Sequence, residues 1–230
     1  MKRLWKFLLL FLLACSLCFG ARPMNTDDGR VVDEHSCQIE SWIRTGQSLE
    51  YYAMPACNLF LNTEISIGGN VDYADSVLTP AMIFTLKKVF LDLEQDGYSF
   101  GLSLGNMRSG RILDTNKELY AYGIVSKSLL ENQLFLHANI GYKLQNLAYS
   151  QRLYYTGFGV EYDHSEHFWF IGEAFYEQGR RASYQLGIRI WLKKDKLQID
   201  CTYGNDFITP FGKNGAFASV GIRVLSDTLF

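Results

Sequence analysis

From about Gln38 to the end of the chain, apolar and polar residues alternate in one short run after another. In Tyr184-Gln-Leu186-Gly-Ile188-Arg-Ile190-Trp-Leu192 every even position is apolar, while the odd positions mix Gln185, Gly187 and Arg189 with Trp191. Successive side chains of a strand point to opposite faces, so a period of two predicts a strand with one apolar face and one polar face. The pattern predicts twelve strands, at 37–44, 49–57, 62–72, 80–92, 98–107, 118–128, 132–143, 153–163, 167–177, 183–193, 196–204 and 216–227. Most come near the ~9–11 residues with which a tilted strand crosses a bilayer; the first two are the shortest.

The segments between the strands sharpen the picture. Glu94-Gln-Asp-Gly97, Leu130-Glu-Asn132, Asp163-His-Ser-Glu-His167 and Lys193-Lys-Asp-Lys196 read as tight turns, and 108–117, 144–152, 178–182 and 205–215 as longer links. Short and long connections alternate, which predicts tight turns on one rim and loops on the other. Bacterial outer-membrane barrels have that asymmetry, with the short turns periplasmic. The fold class predicted is all-β: a closed antiparallel up-and-down transmembrane β-barrel of about twelve strands over residues 37–230.

Alternation does not say which face meets lipid, and a soluble barrel would turn the same apolar face inward. Three features favour apolar outward. Twelve strands enclose a lumen too wide for side chains to fill, since about eight already leave an interior that is barely packable. Aromatic residues stand near strand ends on the apolar face (Tyr142, Tyr154, Tyr162, Phe168, Tyr176, Tyr184, Tyr203), as in the girdles at the two membrane interfaces. The chain also closes on an amphipathic strand ending in Phe230, although Ser226 and Thr228 interrupt its apolar parity.

By the same parity the polar face lines the lumen. It carries Glu40, Arg44, Glu50, Glu64, Asp72, Lys87, His137, Asn139, Lys143, Glu161, Glu173, Glu177, Arg189, Asp200 and Arg223, with glycines interspersed. Charges of both signs fit two interiors: a weakly selective polar pathway, or a salt-bridged interior that passes nothing. The pattern leaves both open.

The first twenty residues read as a cleaved secretory signal: Lys2, Arg3 and Lys6 precede the apolar run Phe7 to Ala14, and small residues flank a cleavage after Gly20. Leu12-Leu-Ala-Cys15 is a poorer fit to a lipoprotein box. Residues 21–36 are polar, acidic and aperiodic. They are expected as a periplasmic segment or one that threads the lumen as a partial plug. Export to an oxidising compartment permits disulfides, and a hairpin centred on Thr45-Gly-Gln-Ser48 sets Cys37 opposite Cys57 on one face, as a bridge demands. Cys201 shares the apolar face with Leu197, Ile199 and Tyr203 and reads as a small hydrophobe.

The 230-residue chain has a net charge near −2, which gives no electrostatic reason to expect nucleic acid. No catalytic site is predicted. Asp163-His-Ser-Glu-His167 holds the residue types of a hydrolase triad, but consecutive side chains in a tight turn diverge. His164 and His167 lack a third clustered ligand for a metal, and nothing points to a cofactor.

Ala21-Arg-Pro-Met-Asn-Thr26-Asp27-Asp28, Cys37-Gln-Ile-Glu40-Ser-Trp42, Pro55-Ala-Cys57-Asn58 and Glu64-Ile-Ser-Ile-Gly68 follow at close spacing. Over residues 21–70 the chain resembles the outer-membrane barrel proteins named after the meta-pathway of phenol degradation. The resemblance implies an outer-membrane barrel in a Gram-negative cell and a channel or facilitator for small solutes, aromatic or apolar ones among them. It supplies no catalytic residues. A barrel of this kind is expected to contact outer-membrane lipid and to present its C-terminal strand, ending at Phe230, to barrel-assembly machinery. The alternative is a structural barrel without solute flux, whose loop Asp206-Phe-Ile-Thr-Pro-Phe211 binds a partner.

Overall fold

Each strand of the chain pairs antiparallel with the next, and the last returns to the first. The structure, a computed structural model, describes residues 24–110, 116–146, 150–210 and 215–229. Its strands are β1 (Cys37–Thr45), β2 (Leu49–Phe60), β3 (Thr63–Ala74), β4 (Val77–Val89), β5 (Tyr98–Ser109), β6 (Asn116–Leu129), β7 (Leu134–Asn146), β8 (Ser150–Ser165), β9 (Phe168–Glu177), β10 (Ser183–Lys193), β11 (Leu197–Asp206) and β12 (Phe217–Leu225). Pairing of β1 with β12, from Gln38 opposite Leu225 to Thr45 opposite Ala218, closes a twelve-stranded barrel. Closure removes the free edges that an open sheet would present. The predicted signal at residues 1–20 and the terminal Phe230 lie outside the described residues.

The connections depart from the predicted alternation of short and long. β5 and β6 run past the predicted loop 108–117 to Ser109 and from Asn116, and β7 and β8 reach Asn146 and Ser150. These polar stretches continue the backbone ladder, with Arg108 opposite Lys117 and Gln145 opposite Gln151. A ladder beyond the bilayer needs no apolar face, so the polar composition that suggested loops also suits strand. On the rim where the chain enters β1 and leaves β12 (the near end), residues 90–97 form a connection longer than the two-residue turns 61–62 and 75–76. Of those two, 61–62 is at the near end and 75–76 at the opposite, far end. Both residues of each turn have positive φ: Leu61, Asn62, Asp75 and Ser76 lie between 48° and 64°. Such turns match the right-handed twist of the strands they join.

The outward face is apolar around the ring. Ile39, Ile67, Phe84, Leu102, Val125, Ile140, Phe158, Phe170, Leu186 and Val220 all stand exposed there, Ile140 by 72%. A continuous apolar belt on ten strands is far beyond the patch a soluble monomer shows to water. The apolar face therefore points out, as the parity argument expected. The Cys37–Cys57 disulfide lies at the near end, joining residues that are opposite one another in the β1–β2 ladder.

Candidate functional site

With apolar side chains turned outward, the polar parity faces in, and the interior is occupied by the chain itself. Residues 24–36 lie in the lumen and run from its middle, where Asn25 meets Glu173, down to an entrance at the near end, where Glu34 meets Leu61 and the chain turns into β1. They are fixed by contacts with strands far away in sequence. One carboxylate of β9, Glu173, accepts bonds from the Asn25 backbone N–H (2.7 Å), the Asn25 side-chain amide (2.8 Å) and the Thr26 N–H (2.6 Å). Asn139 of β7 grips the next residue by its main chain: Asp27 N–H donates to Asn139 Oδ1 at 2.6 Å, and Asn139 Nδ2 donates to the Asp27 carbonyl at 3.0 Å. The Asp27 carboxylate meets Lys87 Nζ (2.8 Å) and the Tyr122 hydroxyl (2.8 Å), and Lys87 also reaches Asp28 at 3.3 Å.

Nearer the entrance, Arg30 bonds Glu161 (3.0 Å) and Glu94 (3.2 Å), with its guanidinium 4.2 Å above the Phe135 ring. Val32 N–H donates to Glu64 at 3.3 Å, Asn58 Nδ2 donates to the Val32 carbonyl at 2.7 Å, and Glu34 accepts the N–H of Leu61 at 2.9 Å. The wall is cut to fit this segment. A Cβ on Gly157 would stand 2.4 Å from Thr26 Oγ1, one on Gly159 2.7 Å from Met24 Cε, and one on Gly29 2.7 Å from Ser99 Oγ. Cavities of about 50 and 30 Å³ lie beside the segment, room for a few water molecules.

The remaining wall charges are joined to one another. Arg189 holds Asp200 through two nitrogens (both 3.1 Å at their shortest) and Glu161 at 2.6 Å. Asp200 is fully buried and Glu161 is 2% exposed, so the pairing offsets a desolvation cost that neither carboxylate could bear alone. Arg223 meets Gln38 Oε1 at 2.5 Å and Glu40 at 3.5 Å. His137, also buried, has Nδ1 2.8 Å from Ser126 Oγ and Nε2 3.7 Å from Glu161. Lys143 is set apart towards the far end, where it bridges Glu177 (2.8 Å) and Glu118 (3.4 Å). The candidate lumen residues thus fall into two groups. Glu64, Lys87, His137, Asn139, Glu161, Glu173, Arg189, Asp200 and Arg223 surround the segment, and Lys143 stands above it.

Parity missed three kinds of participant. Tyr122, Gln38 and Asn58 are uncharged, and no charge pattern selects them. Asp27, Asp28 and Arg30 belong to no strand. The far half of the lumen is lined by rings: Trp42 stacks on Tyr52 at 4.5 Å, and Tyr122 meets Tyr155 edge-on at 5.7 Å. Gly105 and Gly141 leave the space that the Tyr120 and Tyr155 rings fill, since a Cβ there would come within 2.1 and 2.3 Å of them. Of the predicted turn Asp163–His167, the first three residues continue β8, and only Glu166 and His167 form the turn to β9, with His167 Nδ1 3.0 Å from the Trp191 carbonyl.

No curated protein matches the sequence. Among solved structures, the barrel is similar to the KdgM porin, solved in complex with disordered oligogalacturonate (TM-score 0.60, 11% identity, covering 82% of this chain and 98% of that one). It is also similar to the NanC porin (TM-score 0.55, 12% identity, 84% of this chain and 100% of that one). At these identities the likeness is one of fold, and the fold is that of outer-membrane porins. A family pattern covers nearly the whole sequence, residues 9–225, and the chain belongs to that family, described as uncharacterised conserved protein UCP029691.

Proposed function

We propose that this protein is an outer-membrane channel of a Gram-negative cell for small solutes, exported through a cleaved signal at residues 1–20 and closed by its own residues 24–36. The exposed apolar belt supports the location, since only hydrocarbon can cover it without cost. The porin fold and the resemblance of residues 21–70 to the meta-pathway barrels support transport. The rings of Trp42, Tyr52, Tyr122 and Tyr155 in the far half favour solutes with an aromatic or apolar face. The near end is then periplasmic, and the C-terminal strand is the part that barrel-assembly machinery meets. The oligogalacturonate of the KdgM complex is not carried over to this chain.

One observation carries the reading: the segment is held in the lumen by polar contacts. Its bonds to the wall are exchangeable with water; most have a charged partner and contribute a net ~1.5–3 kcal/mol each, the neutral ones ~0.5–1.5 kcal/mol. An apolar core segment could not leave on those terms. Planar-bilayer recordings test the proposal. The native protein should be almost silent, and a variant lacking residues 21–36 should conduct steadily. Silence from both, with the barrel folded, would end the channel reading.

A second reading draws on the closed lumen and on the far-end loop, where Phe207 and Ile208 stand 60% and 75% exposed. Asp206 accepts the Ile208 and Thr209 N–H groups at 2.9 and 2.6 Å and so shapes the loop that displays them. On this reading the protein is a structural barrel that binds a partner, and replacing Phe207 and Ile208 by Ser would abolish that binding while solute flux stayed nil throughout.

A further inference from the structure

The segment in the lumen shows what the wall is built to receive. Four N–H donors of the segment go to two wall carboxylates: Asn25 N, Asn25 Nδ2 and Thr26 N to Glu173, and Val32 N to Glu64. Among the described residues, the other hydrogen-bond partners of these two groups are also neutral amides, Gln185 Nε2 at 2.6 Å from Glu173 and Gln38 Nε2 at 3.1 Å from Glu64. A third wall carboxylate, Glu161, faces the Arg30 guanidinium at 3.0 Å. Departure of the segment strips donors from all three at once.

The charge balance of the wall points the same way. Around the segment the wall carries Glu40, Glu64, Glu161, Glu173 and Asp200 against Arg44, Lys87, Arg189 and Arg223. Arg189 stays engaged by Asp200 and Glu161, and Arg223 by Glu40. Further out, Glu118 and Glu177 share Lys143, and Arg180 also meets Glu177, so charge there is balanced. The excess is negative around the segment. Losing Asp27 and Asp28 does release Lys87, and losing Asn25 releases Arg44, so the wall could take a carboxylate at either. An anion there would still face more carboxylates than cations, and like-signed charge in a narrow, low-dielectric passage focuses rather than cancels.

We infer that the opened lumen selects cations, and that Glu173 and Glu64 form its central sites for ammonium or guanidinium groups. This rests on the channel reading above. The test uses the full-length mature chain with Asp27→Ala and Arg30→Ala, which removes the carboxylate held by Lys87 and Tyr122 and the cation held by Glu161. Gly157→Val, which fills the space of Thr26, supplies an independent opening should the double variant fold poorly. A shift in gel migration between unheated and heated samples reports a folded barrel.

Reversal potentials in a KCl gradient should give a potassium-over-chloride permeability ratio on the order of tenfold. Adding Glu173→Gln and Glu64→Gln, which keep shape and remove charge, should bring the ratio severalfold closer to one. Guanidinium should likewise slow potassium current in the openings and not after the two Gln substitutions. A chloride preference, or a ratio unmoved by the Gln substitutions, would overturn the inference and leave a channel of another selectivity. Silence from both openings and from the variant lacking residues 21–36 would remove the channel itself, and this inference with it.

Discussion

Arg189 shows how much depends on a single side chain in this lumen. It stands opposite Asp200 in the β10–β11 ladder and reaches across β9 to Glu161 on β8. Replacing it with Met keeps the apolar bulk, leaves buried Asp200 without its cation and takes one of two from Glu161. The expected loss is about 3–5 kcal/mol, read as a lower urea midpoint of the refolded barrel in detergent. Glu161 keeps Arg30 as a partner, so Arg189→Met combined with Arg30→Met should cost more than the sum of the single changes. Gly157→Val acts by volume instead and should evict Thr26, giving faster protease cleavage within residues 24–36 while the strands stay protected. Parity placed Arg189, Glu161 and Asp200 on one face. Which of them meet depends on register across three strands, and no local pattern carries that.

At the scale of the element, the β1–β2 hairpin was legible in full. A turn centred at 45–48 sets Cys37 against Cys57 by counting alone, and the ladder has that register. The bridge spans a sequence separation of 20, for which the entropy of the unfolded loop gives roughly 3 kcal/mol. Cys37→Ser with Cys57→Ser should lower unfolding stability by up to that amount and leave single-channel currents unchanged, since the pair lies on the outer face. That face also fixes the sign of a charge scan along β7. Ile140→Arg, at a lipid-facing position, should cost ~2–4 kcal/mol, whereas an Arg at lumen-facing Gly141 should disturb the Tyr155 ring rather than the membrane fit. The strand ends were less legible, because polar residues past the bilayer suit a ladder as well as a loop.

For the whole molecule, the exposed belt predicts that the mature protein precipitates or associates once detergent is withdrawn, whatever the solute. A monomer stable in plain buffer by analytical ultracentrifugation would contradict the assignment of faces. The closed lumen predicts that the native protein conducts rarely, in brief openings that grow more frequent as contacts at Asp27 and Arg30 are removed.

The sequence by itself determined an antiparallel barrel of about twelve strands, their alternating faces and the first hairpin, because a two-residue period is a property of the extended backbone and is written locally. The tertiary structure decided whether the interior is empty. Asn25 and Glu173 are 148 residues apart, and an aperiodic run such as 24–36 carries no signal of where it lies. Only a closed barrel brings Glu173, Asn139, Lys87 and Glu161 around one axis, where a passing polar segment can satisfy all four.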